Sequence, residues 1–127
     1  MYVLELKIDG LPKPTNRTNV HWRVRHAHAQ AWKTKVFSHA WPLKPAHPLT
    51  SAALTLTRGS SHPTDFDGLV SSFKHVIDGL VQARVIIDDK MSVIGQPKYE
   101  WVKAPRKQGF ISIKVVQTTK EQQDEQK

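Results

Sequence analysis

Cysteine is missing from all 127 residues. That excludes a disulfide framework and a thiolate zinc site, and it suits a reducing compartment. Long apolar runs are missing too, so no stretch approaches membrane-spanning length. The opening Met1-Tyr-Val-Leu-Glu-Leu-Lys7 lacks the charged, apolar and small-residue parts of a signal peptide. The expectation is a soluble, cytoplasmic protein with no membrane partner. No internal repeat is present. Acidic residues are scarce: 11 Asp and Glu stand against 19 Lys and Arg, for a formal net charge of +8. Asp65, Asp67, Asp78, Asp88 and Asp89 fall in one central stretch, and Glu121, Asp124 and Glu125 lie near the end. The rest of the chain is strongly basic. An acidic spot in a positive surface suits a polyanion held over metal ions, whereas charge serving only solubility is the plainer alternative.

The stretch Asp65–Asp89 organises the rest. Leu69, Val70, Phe73, Val76, Ile77, Leu80 and Val81 recur at helical spacing and predict one amphipathic helix. Asp67, Ser71, Lys74 and Asp78 share a narrow stripe beside that apolar face. Val85-Ile86-Ile87 reads as strand-like and delivers Asp88 and Asp89. Carboxylates gathered this way repel unless a cation sits among them, and an oxygen-only donor set is what Mg²⁺ prefers.

Around this centre, Tyr2–Ile8 alternates as a half-buried strand. Gly10–Asn16, with Pro12 and Pro14, breaks regular structure. Asn16–His28 reads as a loop carrying Arg17, His21, Arg23, Arg25, His26 and His28 around Trp22. Those residues suit a phosphate backbone and an unstacked base. Equally, they suit a solvated loop with Trp22 tucked into the core. A His26-x-His28 metal site is disfavoured, because no third ligand stands at helical spacing. Ala27–Trp41 predicts a helix burying Ala29, Trp32, Val36 and Ala40, with Lys33 and Lys35 toward solvent or ligand. Leu49–Arg58 predicts a second strand, Tyr99–Lys103 a third and Phe110–Val116 a fourth. Met91–Gln96 reads as irregular, and Ala104–Gly109 as a turn made basic by Arg106 and Lys107. The fold class is α/β in the α+β sense. A mixed sheet of about four strands carries two main helices, and the last two strands pair as a hairpin. Residues 1–117 make one domain, and 118–127 a polar tail expected to be frayed or disordered.

Asp65-Phe-Asp67-Gly, Ser71-Ser-Phe-Lys74-x-x-x-Asp78-Gly-Leu80 and Ile87-Asp88-Asp89 resemble the RusA family of Holliday junction resolvases in its phage form. Leu11-Pro-x-Pro-x-x-Asn16 and the Trp32-Lys33 helix add to the likeness. The resemblance spans nearly everything except the tail. It implies a RusA-like homodimeric nuclease that binds four-way DNA and cuts two strands symmetrically with Mg²⁺, without a small-molecule cofactor. By that resemblance Asp65, Asp67 and Asp89 are catalytic metal ligands, with Asp88 beside them and Lys74 as the helix lysine. Gly68 and Thr64 depart from the Asn and Arg that many members have, and the step from Asp67 to Lys74 is longer than in the best-known bacterial form.

Phosphodiester hydrolysis needs an activated water, charge relief at phosphorus and help for the leaving oxygen, all of which carboxylate-held Mg²⁺ supplies. The site residues also have plainer readings. Asp67 would serve as a helix N-cap. Lys74 and Asp78 would form a surface ion pair worth roughly 0.3–0.5 kcal/mol. Asp88-Asp89 would be a polar turn. DNA contacts are expected from Arg17, His21, Arg23, Arg25, His26, Lys33, Arg106 and Lys107. Competing functions are a non-catalytic DNA-binding module, a nuclease for other branched DNA, and a phosphohydrolase for small nucleotides.

Overall fold

The computed structural model describes residues 1–13 and 21–119. Asn16, Arg17 and the polar residues after Thr119 lie outside that set. The described chain runs β1 (Val3–Asp9), α1 (Trp22–Ala40), a 3₁₀ turn (Trp41–Leu43), β2 (Ala52–Ser60), α2 (Phe66–Ser72), α3 (Lys74–Gln82), α4 (Met91–Ile94), β3 (Lys98–Lys103) and β4 (Phe110–Gln117). This is the α+β class: a four-stranded mixed sheet in the order β1-β4-β2-β3.

Strand burial sorts the sheet. β2 alternates buried and half-buried and ends in a buried run, so it sits inside. β1 and β3 carry the exposed charged residues Glu5, Lys7, Lys98 and Lys103 and take the edges, where unpaired backbone tolerates charge. β4 lies antiparallel to both β1 and β2, while β3 runs parallel to β2. The expected β3–β4 hairpin is therefore corrected: β2 lies between them. After β3 the ladder to β2 continues through the Ala104 N–H to the Ser60 carbonyl (3.0 Å). The chain then reverses through Lys107, at φ 68°, and enters the sheet on β2's other side. Six turn residues looked like a hairpin loop, but they carry the chain over β2.

Leu4, Ile8, Leu54, Leu56, Ile111, Ile113 and Val115 give one face of the sheet to the core. Trp32, Val36 and Ala40 of α1, and Val76 and Leu80 of α3, cover it, with Phe73 between α2 and α3. Ala29, Trp32, Val36 and Ala40 are buried as the α1 pattern requires. Gly79 lets α3 approach α1 closely, since a Cβ there would stand 2.7 Å from Val36 Cβ. The opposite sheet face is polar, with Glu5, Lys7, Thr55, Thr57, Ser112 and Lys114 around a shallow depression. There Lys114 pairs with Glu5 at 3.6 Å, and Lys7 lies 4.5 Å over the Phe110 ring.

Four boundaries differ from expectation. α1 begins at Trp22, not Ala27, so Arg23, Arg25 and His26 are helical rather than in a loop. Its cap is His21, whose Nδ1 accepts from the Arg23 N–H (3.1 Å). Histidine is not among the usual cap residues, so the start carried no signal. The central helix is two helices, interrupted at Phe73. Ser71 Oγ and Ser72 Oγ donate back to the carbonyls of Gly68 (3.3 Å) and Leu69 (2.7 Å), a pattern that bends helices. Met91–Ile94 forms one helical turn rather than irregular chain, and β2 starts at Ala52 because Leu49 instead bridges Ile86.

Candidate metal and nucleic-acid site

β2 delivers the first carboxylates. At its end, the Trp101 indole N–H donates to Ser60 Oγ (2.8 Å), and that hydroxyl donates to the His62 carbonyl (2.7 Å). The loop so held leads to Asp65, which caps α2: its Oδ1 accepts from the Gly68 N–H at 2.8 Å. The cap is therefore Asp65 rather than Asp67. Asp67 lies exposed in the first turn. Phe66 and Phe73 bracket Tyr99 at 6.4 and 6.1 Å, which docks α2 against β3.

α3 delivers the next group. Lys74 opens it, exposed. Asp78 faces His75 instead of Lys74, with His75 Nδ1 at 3.6 Å from its Oδ2, beyond hydrogen-bond reach. That Nδ1 is buried without a hydrogen-bond partner among the described residues. Burial pushes the His75 imidazole pKa down; Lys33 and Lys74 act the same way, and Asp78 opposes them. Across from it, His28 of α1 accepts the Lys13 N–H on Nε2 (3.0 Å), so this ring serves the backbone rather than a His26-x-His28 metal pair. Its pKa is lowered by burial first, then by His75 and Lys13.

The closing pair follows the Leu49–Ile86 bridge. Leu49 N–H donates to the Val85 carbonyl and Ile87 N–H to the Leu49 carbonyl, both at 3.0 Å. Asp88 Oδ1 accepts from the Asp89 N–H (2.7 Å), which is the leading reason its carboxyl titrates low; Lys90, at 3.8 Å, adds to this. Asp89 is held above the ordinary carboxylate range. The neighbouring Asp88 carboxyl is the first cause, then burial, then the charges of Asp88 and, last, Asp78.

Among the described residues, no three His, Cys, Asp or Glu side chains converge as a ready-made metal cage, so Asp65, Asp67 and Asp89 are not drawn into one. Two orphaned polar atoms border the route to Asp65. Among the described residues, Thr64 Oγ1 is buried without a hydrogen-bond partner, and so is Arg58 Nε, although Arg58 Nη1 donates to the Pro12 carbonyl. Arg58 is only 8% exposed, a buried cation that composition did not flag.

Of the expected DNA contacts, His21, Arg23, Arg25 and His26 are exposed at the start of α1, and Lys33 is half-buried near His75. Arg106 and Lys107 are exposed in the β3–β4 connection, and Arg17 falls outside the described residues. His75 was missed by sequence reading. Its only signal was the i,i+3 step to Asp78, because the groups that bury it come from α1. Among the described residues, no helix is long and apolar enough to cross a membrane. No protein-family model matches the chain, and a search of curated proteins finds no match.

Proposed function

We propose that the protein is an Mg²⁺-dependent endonuclease for branched DNA, the four-way Holliday junction above all, acting as a homodimer. The observation that carries this reading is the adjacent pair Asp88 and Asp89 in a chain of net charge +8, with Asp88 Oδ1 turned onto the Asp89 N–H at 2.7 Å. Two neighbouring carboxylates repel when both are ionised and unbridged, and the Asp89 carboxyl is raised beside Asp88. An oxygen-only pair of this kind fits Mg²⁺, which takes one or two carboxylates and keeps its waters. Asp89 and Asp88 would hold the ion, and Asp65 and Asp67, which stand outside any ready-made cage with them, would join only as the metal binds. Bound there, Mg²⁺ would supply an activated water and charge relief at phosphorus. Lys74, exposed at the head of α3, would meet the developing negative charge. Arg23, Arg25, Arg106 and Lys107 would hold phosphates away from the cut.

The test uses labelled four-way, flap and linear duplex DNA, with and without Mg²⁺. Paired cuts in the four-way substrate that require Mg²⁺ are expected. Asp65→Asn, Asp67→Asn and Asp89→Asn should each abolish cutting while junction binding persists. Asn caps a helix as well as Asp does, so Asp65→Asn removes the charge and leaves α2 in place. Wild-type cutting by one of these variants would remove that residue from the site. Binding without cutting under every condition would leave a DNA-binding module in its place.

A further inference from the structure

α1 starts before the body that covers it. Its buried residues are Ala29, Trp32, Val36 and Ala40, in steps of three, four and four. Continued toward the start of the helix, the same stripe passes through Arg25 and Trp22. Nothing among the described residues buries that end: every residue from His21 to Ala27 is exposed, and Trp22 is 60% exposed. The core position has been extended past the core. An indole left open there is apolar area awaiting a flat partner.

The surroundings say what kind of partner. The His21 ring stacks against Trp22 with centroids 5.8 Å apart and planes at 27°. The Arg23 guanidinium lies 5.4 Å from the indole centroid. Arg25 and His26 follow, and α1 contains no acidic residue along its whole length. An anionic lipid surface or an acidic protein would also meet the cations, but neither offers the indole a flat π-face to stack on. A nucleotide uses both: its base stacks and its phosphate meets the cations. In a continuous duplex the base faces are covered by stacking, so the base must be unstacked, as at a branch point.

We propose that Trp22 is a stacking platform for an unstacked base at the branch point of branched DNA, with Arg23 and Arg25 on the flanking phosphates. This rests on the nucleic-acid half of the function proposed above and is independent of the metal chemistry. It makes Trp22 a determinant of branch over duplex.

The experiment runs in EDTA, so cutting plays no part. A four-way junction carries 2-aminopurine at the branch point, and a linear duplex of matched sequence carries it at the same position. Wild-type protein should quench the probe in the junction and leave it unchanged in the duplex. Trp22→Ala should weaken junction affinity roughly 5- to 150-fold, the range for one lost base stack. The salt slope should stay constant, because no charge is removed. Trp22→Phe should recover most of the affinity, and duplex affinity should not change. Circular dichroism melts check that the variants fold. Junction binding without quenching, or an equal loss on junction and duplex with Trp22→Ala, overturns the platform and leaves the nuclease reading standing. Failure of the wild-type protein to bind any DNA overturns both. Shielding of Trp22 from acrylamide in the free protein, read as the difference between wild type and Trp22→Phe, would assign the indole to another part of the chain.

Discussion

His75 joins the two helices electrostatically. Its ring is set among Asp78 on its own helix, Lys74 beside it, and Lys33 and His28 from α1. Both imidazoles are harder to protonate in the folded protein than at the ordinary value of 6.5, chiefly because they are buried. The unfolded chain therefore binds more protons as pH falls below that value, and stability rises with pH through the same window. The contribution is complete above 6.5 and is lost on acidification. Urea midpoints measured in steps from about pH 7 to about pH 5 should fall, and His75→Gln should flatten the decline. An unchanged slope in that variant would place the proton uptake elsewhere. The aspartates were legible one by one, because carboxylates stand out in a basic chain. The partners of His75 were not, since Lys33 and His28 lie more than forty residues away in sequence and meet it only after α1 packs on α3.

At the scale of elements, apolar spacing was a sound guide to what exists and a poor one to where it stops. The buried face of α1 follows the 3.6-residue period, and in α2–α3 Leu69, Phe73, Val76, Ile77 and Leu80 are buried as it requires, while Val70 and Val81 are half-buried. The errors fall where side-chain hydrogen bonds decide: a histidine cap at α1, back-bonded serines before Phe73, an aspartate cap two residues earlier than expected. α3 ends by a similar local device. Val85 N–H returns to the Leu80 carbonyl and Arg84 N–H to the Val81 carbonyl, both at 3.0 Å, the pattern of a Schellman cap. The left-handed position of that cap is Arg84, at φ 61°, where a Cβ is strained. Relief of that strain outweighs the extra flexibility of the unfolded chain, so Arg84→Gly should raise stability by about 0.5–1 kcal/mol. Chemical denaturation measures it; a destabilised variant would show that the Arg84 side chain makes a compensating contact.

For the whole molecule, the proposed paired cuts set a symmetry requirement. A four-way junction has two-fold symmetry, and a domain of this size offers one set of Asp65, Asp67 and Asp89. Two cuts in one complex need two chains related by a two-fold axis. Light scattering should give twice the 14.4 kDa chain mass. Dimers that mix wild-type and Asp67→Asn chains should nick one strand and spare its partner; a monomer on DNA that still makes paired cuts would refute the symmetric arrangement. The strand order has a separate consequence, for how the chain is made. Among the described residues, β4 is the only sheet neighbour of β1, and it also fills one side of β2. While a ribosome is still short of Phe110, β1 has no ladder to join and β2 keeps one flank unpaired. Local helices and the β2–β3 pair can form early, but the four-stranded sheet closes only when its keystone strand arrives, so until then a strand edge stays open to strangers.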